Sequence, residues 1–186
     1  PVEETMQALI DIVKQGKALY VGISKYPPAQ AKIAYEMLRA AGVPCLISQY
    51  RYSMFDRTVE EKSLPLAAEQ GSGFIAFSPL AQGLLTKKYL HGIPEHSRAA
   101  RSTGFLKVDQ VTEDKVGKAR RLDEIAARRG QTLAEMALAW VLKDERMTSV
   151  IVGTSSVKQL ADNLHALDNL NFTNEELAEI EGILRL

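Results

Sequence analysis

Apolar positions along this chain fall into two spacings, and the switches between them divide the sequence into elements. In PVEETMQALIDIVKQGK, Met6, Leu9, Ile10 and Val13 recur every three or four residues, with acids in the first turn, Lys14 near the last and Gly16 as a stop. That pattern predicts an amphipathic helix. ALYVGIS follows as a continuous apolar run rich in β-forming residues, the signature of a buried strand, centred near Tyr20 and ending near Ile23 where SKYPP breaks it. The unit then repeats: a helix from Pro28 to Ala41 with Ile33, Met37 and Leu38 inward and Gly42 as stop, then the strand CLISQ. A short helix from Leu64 to Glu69 and the strand GFIAF come next, so strand centres at Tyr20, Ile47 and Ile75 recur about every 27 residues. Such a rhythm suits parallel strands joined by helical crossovers.

After Phe77 the rhythm breaks. A Ser-Pro turn leads into a polar stretch over residues 95–111 that lacks apolar periodicity and is longer than an ordinary connection, which predicts a functional loop or mobile lid. Two helices follow, one over 113–129 with Val116, Leu122 and Ile125 inward and Gly130 as stop, the other started by a Thr132/Glu135 capping box and running through EMALAWVL as a core helix. The last strand is SVIVG. Ser156 with Gln159, and Thr173 with Glu176, form further capping boxes that start helices carrying Leu160, Leu164 and Leu167, and Leu177, Ile180 and Leu184. None of the outer helices is expected to leave an apolar face exposed.

Four parallel strands with helices form either an open sheet or half of an eight-stranded barrel, and periodicity leaves both open. Both architectures gather ligands at the carboxyl ends of the strands. The residues there are Ser24 with Lys25, Gln49 with Tyr50, Phe77 with Ser78, and Gly153 with Thr154 and Ser155. Singly, these are residues that begin turns. Together they supply an amide and hydroxyls suited to a carboxamide, an aromatic ring suited to stacking, and small-residue turns suited to phosphate, the last at the N-terminus of the helix capped by Ser156. GxGxxG is absent, so a Rossmann fingerprint is not the route.

Composition narrows the partners. The 186 residues are 46% hydrophobic, enough for one core, and 23 basic side chains balance 23 acidic ones, which leaves no global field to attract nucleic acid or an anionic membrane. No apolar run is long enough to span a bilayer, and the one cysteine, Cys45, reads as a small buried strand residue; a reducing cytoplasmic compartment is expected. His91 and His96 stand in a loop without further ligands, so no metal site is expected. The chain starts at Pro1 and reads directly into helix, which suggests a fragment.

The strings YVGISKY, SQYRYS, FSPLAQGLLTKKYLHGIPEHSR and VIVGTSSVKQLADNL resemble, in order, the second half of an aldo-keto reductase. The branch is the one that includes potassium-channel β-subunit-like proteins and bacterial glyceraldehyde-phosphate and methylglyoxal reductases. The resemblance implies an α/β fold of the (β/α)8 TIM-barrel family, with this chain as a single partial domain, residues 1–186, supplying strands five to eight, and the 95–111 loop covering a cofactor. It implies NADP(H), with Ser24 and Gln49 on the nicotinamide carboxamide and Phe77 stacked on the ring. Ser78, Leu80 and Gly83, with Lys88 and Arg98 as basic contacts, are implied around the pyrophosphate, and Gly153, Ser155, Gln159, Asp162 and Asn163 around the adenosine. Lys25, Phe77, His96 and Asp162 depart from the commoner family residues; Asp162 replaces a Glu and reaches one methylene less far toward the adenine.

Members of that family reduce a carbonyl with a Tyr proton donor tuned by Lys and Asp and assisted by His, all in the first half of the barrel. Those motifs do not occur here, so the resemblance implies an NADP(H)-dependent oxidoreductase of small aldehydes or ketones whose catalytic residues lie outside this chain, and a chain inactive alone. The partners expected are a small carbonyl substrate, the N-terminal half of the barrel and a possible second copy. The alternatives are a non-catalytic NADP(H)-binding partner subunit and a self-associating half-barrel.

Overall fold

The computed structural model describes residues 1–100 and 105–186. Strands β1 (Val21–Ser24), β2 (Cys45–Arg51), β3 (Gly73–Phe77) and β4 (Met147–Ile151) form one parallel sheet in chain order. Between and after them run helices α1 (Val2–Lys14), α2 (Pro28–Ala40), α3 (Ser63–Glu69), α4 (Glu113–Arg128), α5 (Leu133–Leu142), α6 (Val157–Leu164) and α7 (Asn174–Arg185).

Burial along the strands decides between the two architectures that periodicity leaves open. Val21 and Ile23 on β1, Ser48 and Tyr50 on β2, and Phe74 and Ala76 on β3 are buried, while their alternates Gly22, Ser24, Gln49, Arg51, Ile75 and Phe77 are half-buried or exposed. An open doubly wound sheet would bury both sets. Here one face carries the core and the other is a concave surface, the arrangement of a barrel wall. The core under the covered face joins Met6 and Ile10 of α1, Leu38 of α2, Phe74, Leu122 and Ile125 of α4, and Met136 and Trp140 of α5. Residues 136–141 of α5 are all buried, as EMALAWVL predicts.

Several boundaries differ from the sequence pattern. The first strand begins at Val21, and Leu19 and Tyr20 are 82% and 67% exposed, because an apolar run marks residues that seek burial whether or not the chain supplies a neighbour. The last strand is shifted to Met147–Ile151, which leaves Val152 and Gly153 in the following turn. On α2 the buried face is Ala31, Ala34, Tyr35 and Leu38, with Ile33 and Met37 flanking it half-buried. Tyr35 can turn inward because its hydroxyl shares a 2.6 Å hydrogen bond with Ser48 Oγ, which in turn meets Ser72 Oγ at 3.0 Å. Cys45 sits beside this cluster, buried as expected, and burial pushes its thiol up, away from the nucleophilic thiolate.

Helix α6 brings the largest correction. Val157, Leu160 and Leu164 are exposed, as is Leu167 in the 3-10 turn that follows, so an outer helix does carry an uncovered apolar face. Its capping box is also half formed. Ser156 Oγ accepts from Gln159 N at 3.1 Å, but Gln159 Oε1 accepts from Ser155 N and Ser155 Oγ at 2.8 and 3.1 Å. The Thr132/Glu135 and Thr173/Glu176 boxes close in both directions.

Of the 95–111 loop, residues 101–104 lie outside the described residues. Of the described remainder, Ala99 and Leu106 are buried against Leu84 and Tyr89, with Ala99 N donating to Tyr89 Oη at 3.4 Å, while Phe105 and Val108 are exposed. No described helix is long and apolar enough to cross a membrane.

Candidate functional site

Parallel pairing delivers the four strand exits to one rim. Ser24 is the register partner of Gln49, Gln49 of Ile75, Arg51 of Phe77, and Phe77 of Ile151. Ser24, Gln49 and Phe77 thus stand together at the carboxyl end of the concave face. Two residues leaving this rim, Lys25 after β1 and Ser78 after β3, have φ of 59° and 55°, and Ala81 and Gln82 follow at 47° and 59°. Among the described residues these are the non-glycine residues in the left-handed region, and all four fall in the connections that leave the carboxyl ends of β1 and β3.

Beside the exits of β3 and β4 lies a cavity of about 500 Å³, within the usual range for a small-ligand site. Ser78, Leu80, Gly83, Lys88, Arg98, Gly153, Ser155 and Gln159 line it, as do Pro79, Gln82, Thr86, His96, Ile151, Val152 and Thr154. Sequence reasoning placed Thr154 at the exit of the last strand and did not single out Gln82 or Thr86, whose positions inside the loop after β3 were the available signal. The lining holds two basic side chains, Lys88 and Arg98, and no acidic one. Arg98 leans over the turn that leads into α6: a Cβ built on Gly153 would lie 3.6 Å from its Nη2. A cationic wall, hydroxyls and small-residue turns together make an anion-binding surface.

The remaining predicted residues stand apart from this lining. Asp162 and Asn163 are on α6, three and four residues after Gln159 and so on its face of the helix. Asp162 accepts from Lys158 Nζ at 2.9 Å, so its carboxylate is already occupied by a neighbour on the same helix. Asn163 is buried, and its Nδ2 finds no acceptor among the described residues. A buried donor left in that state favours a ligand that brings an acceptor. Gln159 has its Oε1 turned back to Ser155, so in this state it shapes the Gly153–Ser156 turn.

Residues 1–185 match the sequence model of the Aldo/keto reductase family. The chain belongs to that family. It is 48% identical over 185 residues to L-glyceraldehyde 3-phosphate reductase of Escherichia coli O157:H7, covering 97% of this chain and 54% of that protein. It is 46% identical over 185 residues to the protein of the same name from Escherichia coli strain K12, with the same shares covered. The chain therefore spans about half the length of the curated relatives it matches. For an aldo/keto reductase the four strands and their helices form an α/β half-barrel, which explains why one face of the sheet is covered and the other is concave and open.

Arg51 is the rim residue that sequence reasoning missed. It follows Gln49 by two positions on β2, and the two-residue strand period places it on the same face, across from Phe77. The predicted strand CLISQ stops short of it.

Proposed function

We propose that this chain holds NADP(H) for the reduction of small aldehydes or ketones to alcohols. The observation that carries the reading is the acid-free cavity at the exits of β3 and β4, with Lys88 and Arg98 in its wall. In this reading Ser78, Leu80 and Gly83 wrap the pyrophosphate, and Lys88 and Arg98 meet its charge. Ser24 and Gln49 orient the carboxamide, Phe77 stacks on the ring, and Gly153, Ser155, Gln159, Asp162 and Asn163 enclose the adenosine end. For Asp162 this requires release of Lys158, whereas Asn163 Nδ2 has its donor ready. The bound dinucleotide supplies hydride to a carbonyl carbon; this chain's residues fix where its ring lies. The name of the two relatives extends here as the first substrate to test, glyceraldehyde 3-phosphate.

The proton for the carbonyl oxygen is assigned to a complementary half-barrel. Four of the six tyrosines, Tyr35, Tyr50, Tyr52 and Tyr89, have hydroxyls engaged inside the fold. Burial pushes the Tyr50 phenol up to about 12 and raises Tyr52 further, which makes them poorer acids. Of the other two, Tyr20 precedes β1 at the end away from the rim, and Tyr26, just past the exit of β1, is half-buried with its ring against the core. We expect the purified chain to bind NADPH without oxidising it in the presence of glyceraldehyde 3-phosphate, and the full-length polypeptide carrying it to do both. Turnover by the chain alone at the full-length rate would refute this division of labour.

The exposed apolar residues of α6 favour a covering partner for the half-barrel, and we propose the complementary half for that role. A second copy of the chain, or a separate protein served by a non-catalytic subunit, are the competing occupants. Sedimentation of the chain as a dimer would support the second copy.

A further inference from the structure

A smaller cavity of about 130 Å³ adjoins the first one, sharing Ser78 and Gln82 with it. Arg51, Ser53, Asp56, Gln110 and Lys115 contribute its further polar side chains. The charges do not cancel: two cations face one acid. Asp56 is not fully engaged with either, since its Oδ2 lies 3.7 Å from Arg51 Nη1, beyond a good hydrogen bond, and its Oδ1 accepts from Thr58 at 2.9 Å. Among the described residues, that long contact is the ion pair Arg51 makes, so its forked donors are still available. Lys115 reaches the cavity from α4 and donates to Gln110 O at 3.3 Å. By the share of volume a water takes in the liquid, the space would hold roughly four waters, a small compact group rather than a second nucleotide.

Position gives this pocket its meaning. Arg51 is the register partner of Phe77 and lies one pleat beyond Gln49 on the same face. Phe77 and Gln49 are the residues that the proposed function places on the nicotinamide. A short aldehyde with its carbonyl at that ring therefore has its far end within the reach of Arg51.

Resting on that reading, we propose that Arg51, with Lys115, forms a subsite for the terminal oxyanion of a short aldehyde substrate, and that Arg51 sets preference for charged over neutral aldehydes. A guanidinium recognises a phosphate or a carboxylate through paired N–H donors, and Lys cannot reproduce that fork.

The test uses the full-length polypeptide and its Arg51→Gln and Arg51→Lys variants, assayed on glyceraldehyde 3-phosphate, glyoxylate and unphosphorylated glyceraldehyde. Loss of charge-assisted hydrogen bonds predicts a rise of about tenfold or more in KM for the charged substrate in Arg51→Gln, with Arg51→Lys between the two, and KM for glyceraldehyde unchanged. A rise confined to glyceraldehyde 3-phosphate identifies a phosphate site; one confined to glyoxylate identifies a carboxylate site. Equal changes for charged and neutral aldehydes, or none, overturn the proposal. Independently of turnover, titrating inorganic phosphate into the NADP+-saturated protein should shift the Arg51 Nε–H resonance and leave NADPH affinity alike in wild type and Arg51→Gln. Absence of that shift also overturns it. Failure of NADPH to bind at all, with the phosphate shift still seen in protein without NADP+, would instead remove the dinucleotide reading.

Discussion

The guanidinium of Arg57, in the loop after β2, hydrogen-bonds both Glu60 beside it and Glu181 on α7, which is 124 residues away in the chain. This contact ties the last helix to the connection between the second and third strands, and it makes the tie depend on ionisation. The Arg57 bond, and then that of Arg185, hold the Glu181 carboxyl below its ordinary value of 4.5. The folded state therefore favours the charged form, so the associated stability is present above pH 4.5 and lost as pH falls through the lower folded value. We expect the stability gap between wild type and Glu181→Gln to be full at neutral pH and to close on acidification, as read by thermal melts across that range. A gap that is constant with pH would contradict the assignment.

Arg129 is a further and more deeply buried fastening of α7, beside the exposed Arg128–Glu179 pair. Its side chain is 2% exposed, pairs with Glu176 at 2.5 Å, donates to Asn171 O at 2.9 Å and lies 3.7 Å from the centre of the Phe172 ring. Removing one side of such a pair strands the other, so Arg129→Ala should cost about 3–5 kcal/mol in denaturant unfolding. Glu176, at 26% exposure, retains some water, which places the expected loss toward the lower end.

Two glycines predict opposite signs for the same substitution. A Cβ on Gly22 of β1 would fall 2.6 Å from Ile47 O, backbone that cannot move without disturbing the β1–β2 ladder. Gly22→Ala should destabilise by about 1–3 kcal/mol. Gly117, inside α4, has nothing within 4 Å of its would-be Cβ, and Gly117→Ala should stabilise by about 1 kcal/mol through helix propensity. Urea midpoints of the two variants check both.

The elements were legible where local chemistry alone fixes them. Capping boxes at Thr132 and Thr173 and the glycine stops at Gly16, Gly42 and Gly130 are short-range signals, and the helices they bound lie where the pattern puts them. Burial was legible only as demand. Leu19, Tyr20, Leu160 and Leu164 read as residues that seek a core, yet this half-barrel leaves them uncovered. The cavity lining was legible in large part because strand exits and small-residue turns converge by topology. Arg51 was not, because its placement follows from strand parity beyond the apolar run, and Gln159 was read as the partner of Ser156 although its side chain turns to Ser155.

Helix α6 links stability to binding. Ser156→Ala removes the hydroxyl that accepts from Gln159 N and should weaken the helix by about 1 kcal/mol. Because Gln159 and Asn163 ride on that helix, NADPH affinity should fall with it, measured by fluorescence titration. Unchanged affinity would separate α6 from the adenosine end.

The reading as a whole stands on a dinucleotide lying along the carboxyl rim of the four parallel strands. Mapping amide shifts during an NADP+ titration of the isotope-labelled chain addresses this residue by residue. Changes should gather at Ser24, Gln49, Ser78, Gly153 and Ser155, and spare Val43 and Gly71, which precede the amino ends of β2 and β3. Shifts concentrated at the amino ends of the strands, or no saturable shifts at the rim, would contradict it.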